Sequence, residues 1–280
     1  MRRIILTTAV LLFALGLFGV ASAVQDPRVV RYTVVLDKLP PGSAPIRIVQ
    51  LSDTHGSWID MPPVRLERIV AQVNALQPDI VVLTGDYIGG KLIDWPRIKL
   101  EQVLLPFGKL RAPLGIFAVP GNHDTVQWTR WVFAKTPVRF MTGQWVDVGP
   151  VTIGGADDFT NMAAILPETR ATVAGAPTGK PLILIAHEPD FFKWLPPSVD
   201  LLICGHTHGG QIRLPLIGGL RIDTFIDSHL RGRFDVHGKT MVVSSGVGTS
   251  LIPVRIGVPP EIVEVTLVPR GYGRKSGTDR

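Results

Sequence analysis

The chain has 280 residues, 45% hydrophobic and 19% charged, enough apolar material for one sizeable folded domain and too much for a disordered protein. Its formal charge of +6 gathers at the ends, with Arg2 and Arg3 at the start and Arg270, Arg274, Lys275 and Arg280 in a basic flexible tail over 270–280. Setting those six cations and Asp279 aside from totals of 29 and 23 leaves 23 basic against 22 acidic residues, so the domain between has no charge excess for a nucleic-acid-binding face, and nucleic acid is not an expected partner.

Taken in chain order, residues 1–23 come first. Arg2-Arg3 precede the uncharged run Ile4–Val20, and Ala21-Ser22-Ala23 follows as an A-x-A cleavage site. A run of 17 residues is long for a signal-peptide core and short for a spanning helix, so a cleaved signal peptide and a retained membrane anchor both remain open. On either reading, residues 27–269 form one exported domain, periplasmic or on the outer face of the cytoplasmic membrane, with Arg2-Arg3 left inside.

Within that domain, Ile46–Leu51 predicts a strand. Pro62 to Leu76 predicts a helix, with Leu66, Ile69, Val70, Val73 and Leu76 on one stripe. Ile80–Leu83 predicts a buried strand, Trp95–Leu105 a helix, and Ile116–Val119 a strand. Later strands are expected at 151–153, 182–186, 201–204, 241–244 and 262–267, the third of these runs ending in the single cysteine, Cys204. A lone thiol inside an apolar run reads as a small buried hydrophobe with no internal disulfide. Strands dominate the second half, which predicts an α/β (α+β) fold of two packed sheets with helices outside.

The polar residues fall where five of these runs end. Ile46–Ser52 leads into Asp53-Thr54-His55, Ile80–Thr84 into Gly85-Asp86, and Ile116–Pro120 into Gly121-Asn122-His123-Asp124. Leu182–Ala186 leads into His187, and Leu201–Cys204 into Gly205-His206-Thr207-His208. In α/β proteins, functional groups gather beyond the carboxyl ends of strands. Any one segment alone is ordinary; together they hold five of the seven histidines, leaving His229 and His237 to solvated or structural roles. Imidazole, carboxylate and amide oxygen are donors for borderline divalent cations such as Mn, Fe and Zn. The lack of thiolate in these segments argues against a structural zinc site.

With these segments in place, the sequence resembles the calcineurin-like metallophosphoesterases, and within them the membrane-associated bacterial branch carrying Gly205-His206-Thr207-His208-Gly209-Gly210-Gln211. Further marks of that branch are Gly154-Gly155-Ala156-Asp157-Asp158, His187-Glu188-Pro189-Asp190 and Ser245-Gly246-Val247-Gly248-Thr249. Thr54 departs from the apolar residue usual there. The resemblance implies two packed mixed sheets flanked by helices, a four-layer sandwich, with metals at the strand ends. It implies two divalent ions, one held by Asp53, His55 and His208 and the other by Asn122, His187 and His206, with Asp86 bridging. It also implies that His123 is no ligand but assists the leaving group of hydrolysis by metal-activated water, and that Asp124 either orients His123 or caps a turn. Asp157 and Asp158 read as turn or cap residues. The alternative, a metal-binding scaffold of the same fold that has lost turnover, fits less well, because such relatives lose ligands that this chain keeps. Three apolar segments adjoin the motifs: Trp128, Trp131 and Phe133; Phe191, Phe192 and Trp194; and Leu214, Leu216 and Ile217. They raise the expectation of a greasy rim and of a small-molecule or lipid phosphate substrate at a membrane.

Overall fold

The β-branched runs become the central strands of two sheets in the computed structural model, which describes residues 1–157, 162–214, 218–220, 229–236 and 238–272. In chain order the elements are α1 (Arg2–Val24), β1 (Arg28–Leu36), β2 (Ile46–Leu51), α2 (Pro63–Ala75), β3 (Ile80–Thr84), α3 (Leu100–Leu104), β4 (Ile116–Val119), α4 (Val126–Phe133), β5 (Val138–Phe140), β6 (Gln144–Asp147) and β7 (Thr152–Gly155). They continue with α5 (Met162–Gly175), β8 (Leu182–Ile185), β9 (Leu201–Cys204), β10 (Ile212–Leu214), β11 (Gly218–Leu220), β12 (Gly232–Val236), β13 (Lys239–Val243) and β14 (Glu261–Pro269).

One six-stranded sheet runs β1-β14-β2-β3-β4-β5 and the other β12-β13-β9-β8-β7-β6, with β10 and β11 in a separate hairpin. In the first sheet β2, β3, β4 and β5 are mutually parallel, and β14 runs antiparallel to β2. In the second, β13, β9, β8 and β7 are parallel and β6 and β12 are antiparallel edges. Parallel strands covered on both faces need apolar side chains on both, which is why they read as unbroken apolar runs.

The alternation of each strand divides the core into layers. Ile46, Ile48, Ile80, Val82, Phe117 and Val119 face Ile153, Ile183, Ile185, Leu201, Ile203 and Val242 between the sheets. Val49, Leu51, Val81 and Leu83 point the other way, onto Leu66, Ile69, Val70 and Val73 of α2 and Phe107 and Phe133 beyond. Val173 and Leu195 cover the outer face of the second sheet through Leu182, Leu184, Leu202 and Met241. The result is the expected pair of mixed sheets between helices. Gln50 is the polar member of β2 on the inner face, and its amide donates to Thr84 Oγ1 and Cys204 O, each at 2.8 Å, tying the two sheets together near the site.

Two expectations need correction. The helix read over 95–105 exists only as α3, followed by a 3-10 turn over Leu105–Lys109. Pro96 removes an amide and restricts the residue before it, and Pro106 and Gly108 interrupt the far end, so 88–99 runs as a loop. The segment after Pro27, which no apolar run marks, is the nine-residue strand β1 paired in parallel with β14. Its outward positions carry Arg28, Arg31 and Thr33, as an edge strand allows.

Candidate metal centre

The five segments that carry the candidate donors all leave the carboxyl ends of β2, β3, β4, β8 and β9, so the parallel registers bring them to one place. Their backbone bends sharply there. Asp53, His55, Asp86, His206 and His208 have φ of 53°, 42°, 54°, 71° and 49°, a left-handed region that non-glycine residues rarely occupy. Strain of this kind persists where surrounding structure enforces it, and it collects at functional sites. Two glycines make the turns possible by close approach. A side chain on Gly121 would collide with the Asp86 carboxylate and amide, and one on Gly205 with Ser52 Oγ and Asp53 Oδ2.

The donor atoms form two adjoining groups, Asp53, His55 and His208 in one, and Asp86, His187 and His206 in the other. In the first, His55 Nε2 lies 3.0 Å from His208 Nε2, which lies 3.4 Å from Asp53 Oδ1. In the second, His187 Nε2, His206 Nδ1 and Asn122 Oδ1 form a triangle with all three sides 3.1 Å. Asp86 Oδ2 stands between the groups, 3.4 Å from His55 Nε2 and 3.2 Å from His187 Nε2. Donors held ~2.1 Å from one cation at right or tetrahedral angles sit about 3.0–3.4 Å apart. Nitrogen and oxygen donors converging at these spacings fit divalent cations.

The ring tautomers point the same way. His187 Nδ1 faces Thr84 O at 2.7 Å and His55 Nδ1 faces Gly89 O at 2.9 Å. A carbonyl only accepts, so each Nδ1 carries the proton and each Nε2 presents its lone pair to the site. Burial pushes His55 down to about 4 and His206 down to about 3, and pushes His208 well below its ordinary value, so these imidazoles are neutral at pH 7. Burial likewise raises Asp53 to about 6. For Asp86, burial works toward the neutral acid, but His187, then His55 and His123, hold the carboxyl well below its usual range. His187 is the counterpart: burial disfavours its charge, yet Asp86 beside it keeps its pKa well above the ordinary value.

His123 stands at the edge. Its ring is half-buried, with its centroid 5.4 Å from that of His55, and its backbone amide donates to Asp86 Oδ1 at 3.0 Å. Asp124 is occupied differently from an orienting partner. Its carboxylate accepts the amides of Asp86, Tyr87 and Gly121 at 2.8–2.9 Å, clasping the ends of β3 and β4, which is the turn-capping role. Burial and then the Asp86 charge raise it to about 8. Thr54 turns its hydroxyl to Tyr87 O. Asp157 is half-buried beyond β7, and Asp158 lies outside the described residues. His229 is half-buried with its ring edge-on to Phe234, and His237 falls outside the description. Cys204 is a buried free thiol.

The calcineurin-like phosphoesterase family model matches residues 46–210. The chain belongs to that family. A zebrafish (Danio rerio) protein named "transmembrane protein with metallophosphoesterase domain" is 31% identical over 90% of this chain, which spans only 60% of that relative's length. An Aquifex aeolicus protein named "uncharacterized metallophosphoesterase" is 31% identical, covering 87% of this chain and 93% of its own. Bacillus subtilis YkuE, also named a metallophosphoesterase, is 29% identical over 84% of each chain. The protein is a metallophosphoesterase, and its two donor groups could each hold a metal ion. Its apolar α1, 23 residues long, is by length and composition able to cross a membrane or to act as a signal sequence.

The apolar segments divide. Trp128 and Trp131 are exposed and line a groove of about 250 Å³ with Ile88, Leu100 and Thr125. Phe133 is wholly buried in the layer between the first sheet and its helices, Phe192 packs against the outer layer of the second sheet, and Trp194 is exposed. Leu214 is half-buried; Leu216, Ile217 and the Phe191 side chain lie outside the description. Sequence reasoning missed Arg255, which is wholly buried. Its guanidinium donates to the carbonyls of Gly248, Ser245, Gly246 and Val258 and lies 3.4 Å from His208 Nδ1. It also missed the buried Lys91–Asp60 pair at 3.0 Å. A single cation in the apolar run Ile252–Val258 was the available signal for Arg255.

Proposed function

We propose that the protein hydrolyses a phosphodiester or pyrophosphate at a dinuclear centre, with Asp53, His55 and His208 holding one cation, Asn122, His187 and His206 the other, and Asp86 bridging. The observation that carries this reading is the position of Asp86 Oδ2, within 3.4 Å of His55 and 3.2 Å of His187. Paired cations of the Mn, Fe or Zn type supply Lewis-acid polarisation of the phosphoryl group and acidify water. The residues do the rest. Burial keeps His55, His206 and His208 neutral and ready to donate lone pairs. Asp86, fixed by the His123 amide, keeps the two groups in register. His123, outside both donor groups, sits at the edge to give a proton to the departing oxygen.

The domain works on the outer side of the membrane, with Arg2-Arg3 inside. The exposed groove of Trp128 and Trp131, whose wall includes Thr125 just two residues along the chain from His123, favours a substrate with an acyl chain, a phospholipid or lipid-linked phosphate. The test is metal removal: chelation should abolish hydrolysis of an aryl phosphodiester, and Mn or a similar ion should restore it. Metal-stripped protein turning over at the original rate would overturn the reading.

A further inference from the structure

α1 is not merely tethered to the domain. Its last turns dock into it, through Gly19 and Ala23 on one helical face, both buried. Gly19 touches Val254 so closely that a side chain there would collide with it, and Gly19 O accepts the Arg255 amide at 3.0 Å. The buried Arg65 guanidinium donates to Ala23 O at 3.0 Å, Gln25 O at 2.9 Å and Asp60 O at 2.8 Å. Cleavage after Ala23 would strip a buried cation of one of these acceptors and leave the Arg255 amide and the Val254 contact without partners, and such orphaned groups are strongly disfavoured.

The same contacts fix where the lipid surface lies. Gly19 belongs to the apolar run, and Ala23 is four residues, about 6 Å, further along the helix. Val254 therefore stands at the level where the apolar span ends. Around it, three loops are tied together. Leu251 bonds to Gly90 O and Leu92 to Leu251 O, and Lys91 Nζ reaches both Asp60 and Thr249 O. At their tips the loops expose Trp58 and Ile59, Leu92, Ile93 and Trp95, and Ile252; Leu92, Ile93 and Trp95 are 73%, 70% and 85% exposed. Scattered surface apolar groups are ordinary, but six on three linked loops beside a docked apolar helix form a patch, and tryptophans suit a membrane interface. The stems of these loops reach the metal centre: a side chain on Gly90 would fall 2.9 Å from the His55 ring and 3.1 Å from His123 Nε2.

We propose that α1 is retained in the mature protein as a docked strut, and that the 57–60, 91–95 and 251–254 loops rest on the phospholipid bilayer that holds it, setting the metal centre at the membrane surface. This inference does not rest on the hydrolytic reading, and its test separates the two. Cys204 is buried, so a thiol-directed, polarity-sensitive fluorophore will label single cysteines placed at Leu92, Ile93, Ile252 or, as a control, at the exposed Thr178 before β8. The full chain is reconstituted in vesicles of phosphatidylcholine and phosphatidylglycerol with brominated acyl chains. Quenching at the three rim positions and none at Thr178 is the expected result. Unquenched rim probes with α1 still embedded would overturn the docking. Intact mass of protein extracted from membranes should include residues 1–23, and a mature N-terminus at Val24 would overturn the strut. In the combined L92S, I93S and W95S variant, the Ile252 probe should regain emission while turnover of a soluble aryl phosphodiester stays unchanged; persistent quenching would count against the rim. If no form of the protein hydrolyses anything, the quenching and mass results still stand.

Discussion

Replacing His123 with Ala separates catalysis from metal binding. The substitution deletes the imidazole but keeps the backbone amide that donates to Asp86 Oδ1 at 3.0 Å, so the bridging carboxylate keeps its orientation. The ring belongs to neither donor group, so metal content should stay near two per chain. A positioned general acid is worth ~10²–10⁴-fold in rate, or about 2.7–5.5 kcal/mol of barrier at ~1.36 kcal/mol per decade. That penalty should depend on the leaving group. A nitrophenolate leaves without a proton, so kcat for a nitrophenyl diester should drop little, while an alkyl diester should lose the full factor. The assay is kcat against leaving-group pKa for the wild type and His123→Ala, with metal measured by mass spectrometry. Equal loss across leaving groups would refute proton donation. Unchanged kcat throughout would refute any catalytic role, and loss of metal would make His123 a ligand.

Asp86→Ala should lower metal content and reduce turnover more than His123→Ala does, because it removes the carboxylate that stands between the two groups; a variant with full metal would refute bridging. Lys91→Met should destabilise the protein by about 3–5 kcal/mol at pH 7, since it strands a buried carboxylate. In the wild type, burial of Asp60 is outweighed by Lys91 and by the Ser57 and Thr249 hydroxyls, so its pKa lies below 3.8. That contribution is present above the unfolded pKa and is lost as pH falls through the folded one. The gap between wild type and variant should therefore narrow from pH 7 toward acid in denaturant titrations, and a gap independent of pH would show that the pair is not the cause. Trp128→Ser should lower kcat/KM for a long-chain phospholipid about tenfold, the value of ~1.4 kcal/mol of lost apolar contact, and leave a short-chain analogue of the same head group untouched. Equal effects on both would remove the groove from substrate binding.

The candidate donor segments were legible in the sequence because strands buried on both faces leave unbroken apolar runs, and a polar cluster at the carboxyl end of such a run has few structural explanations. Asp53, His55, Asp86, Asn122, His187, His206 and His208 stood out for that reason, as did α1, whose apolar content needs no partner to be recognised. Other features depended on partners distant in the chain. β1 finds β14 across more than 200 residues, and its mixed run, broken by Arg28, Arg31 and Thr33, carries no sign of that pairing. Asp124 had two roles open until the ends of β3 and β4 came within reach of its carboxylate. Arg255 and Lys91 were missed, because the carbonyls and the carboxylate that satisfy them become neighbours only in the folded chain. Local sequence determines which groups can bind a cation, since donor chemistry belongs to the residue. Only the tertiary structure decides which groups share one, because register and backbone strain bring donors from five loops each to within 3.4 Å of a donor from another.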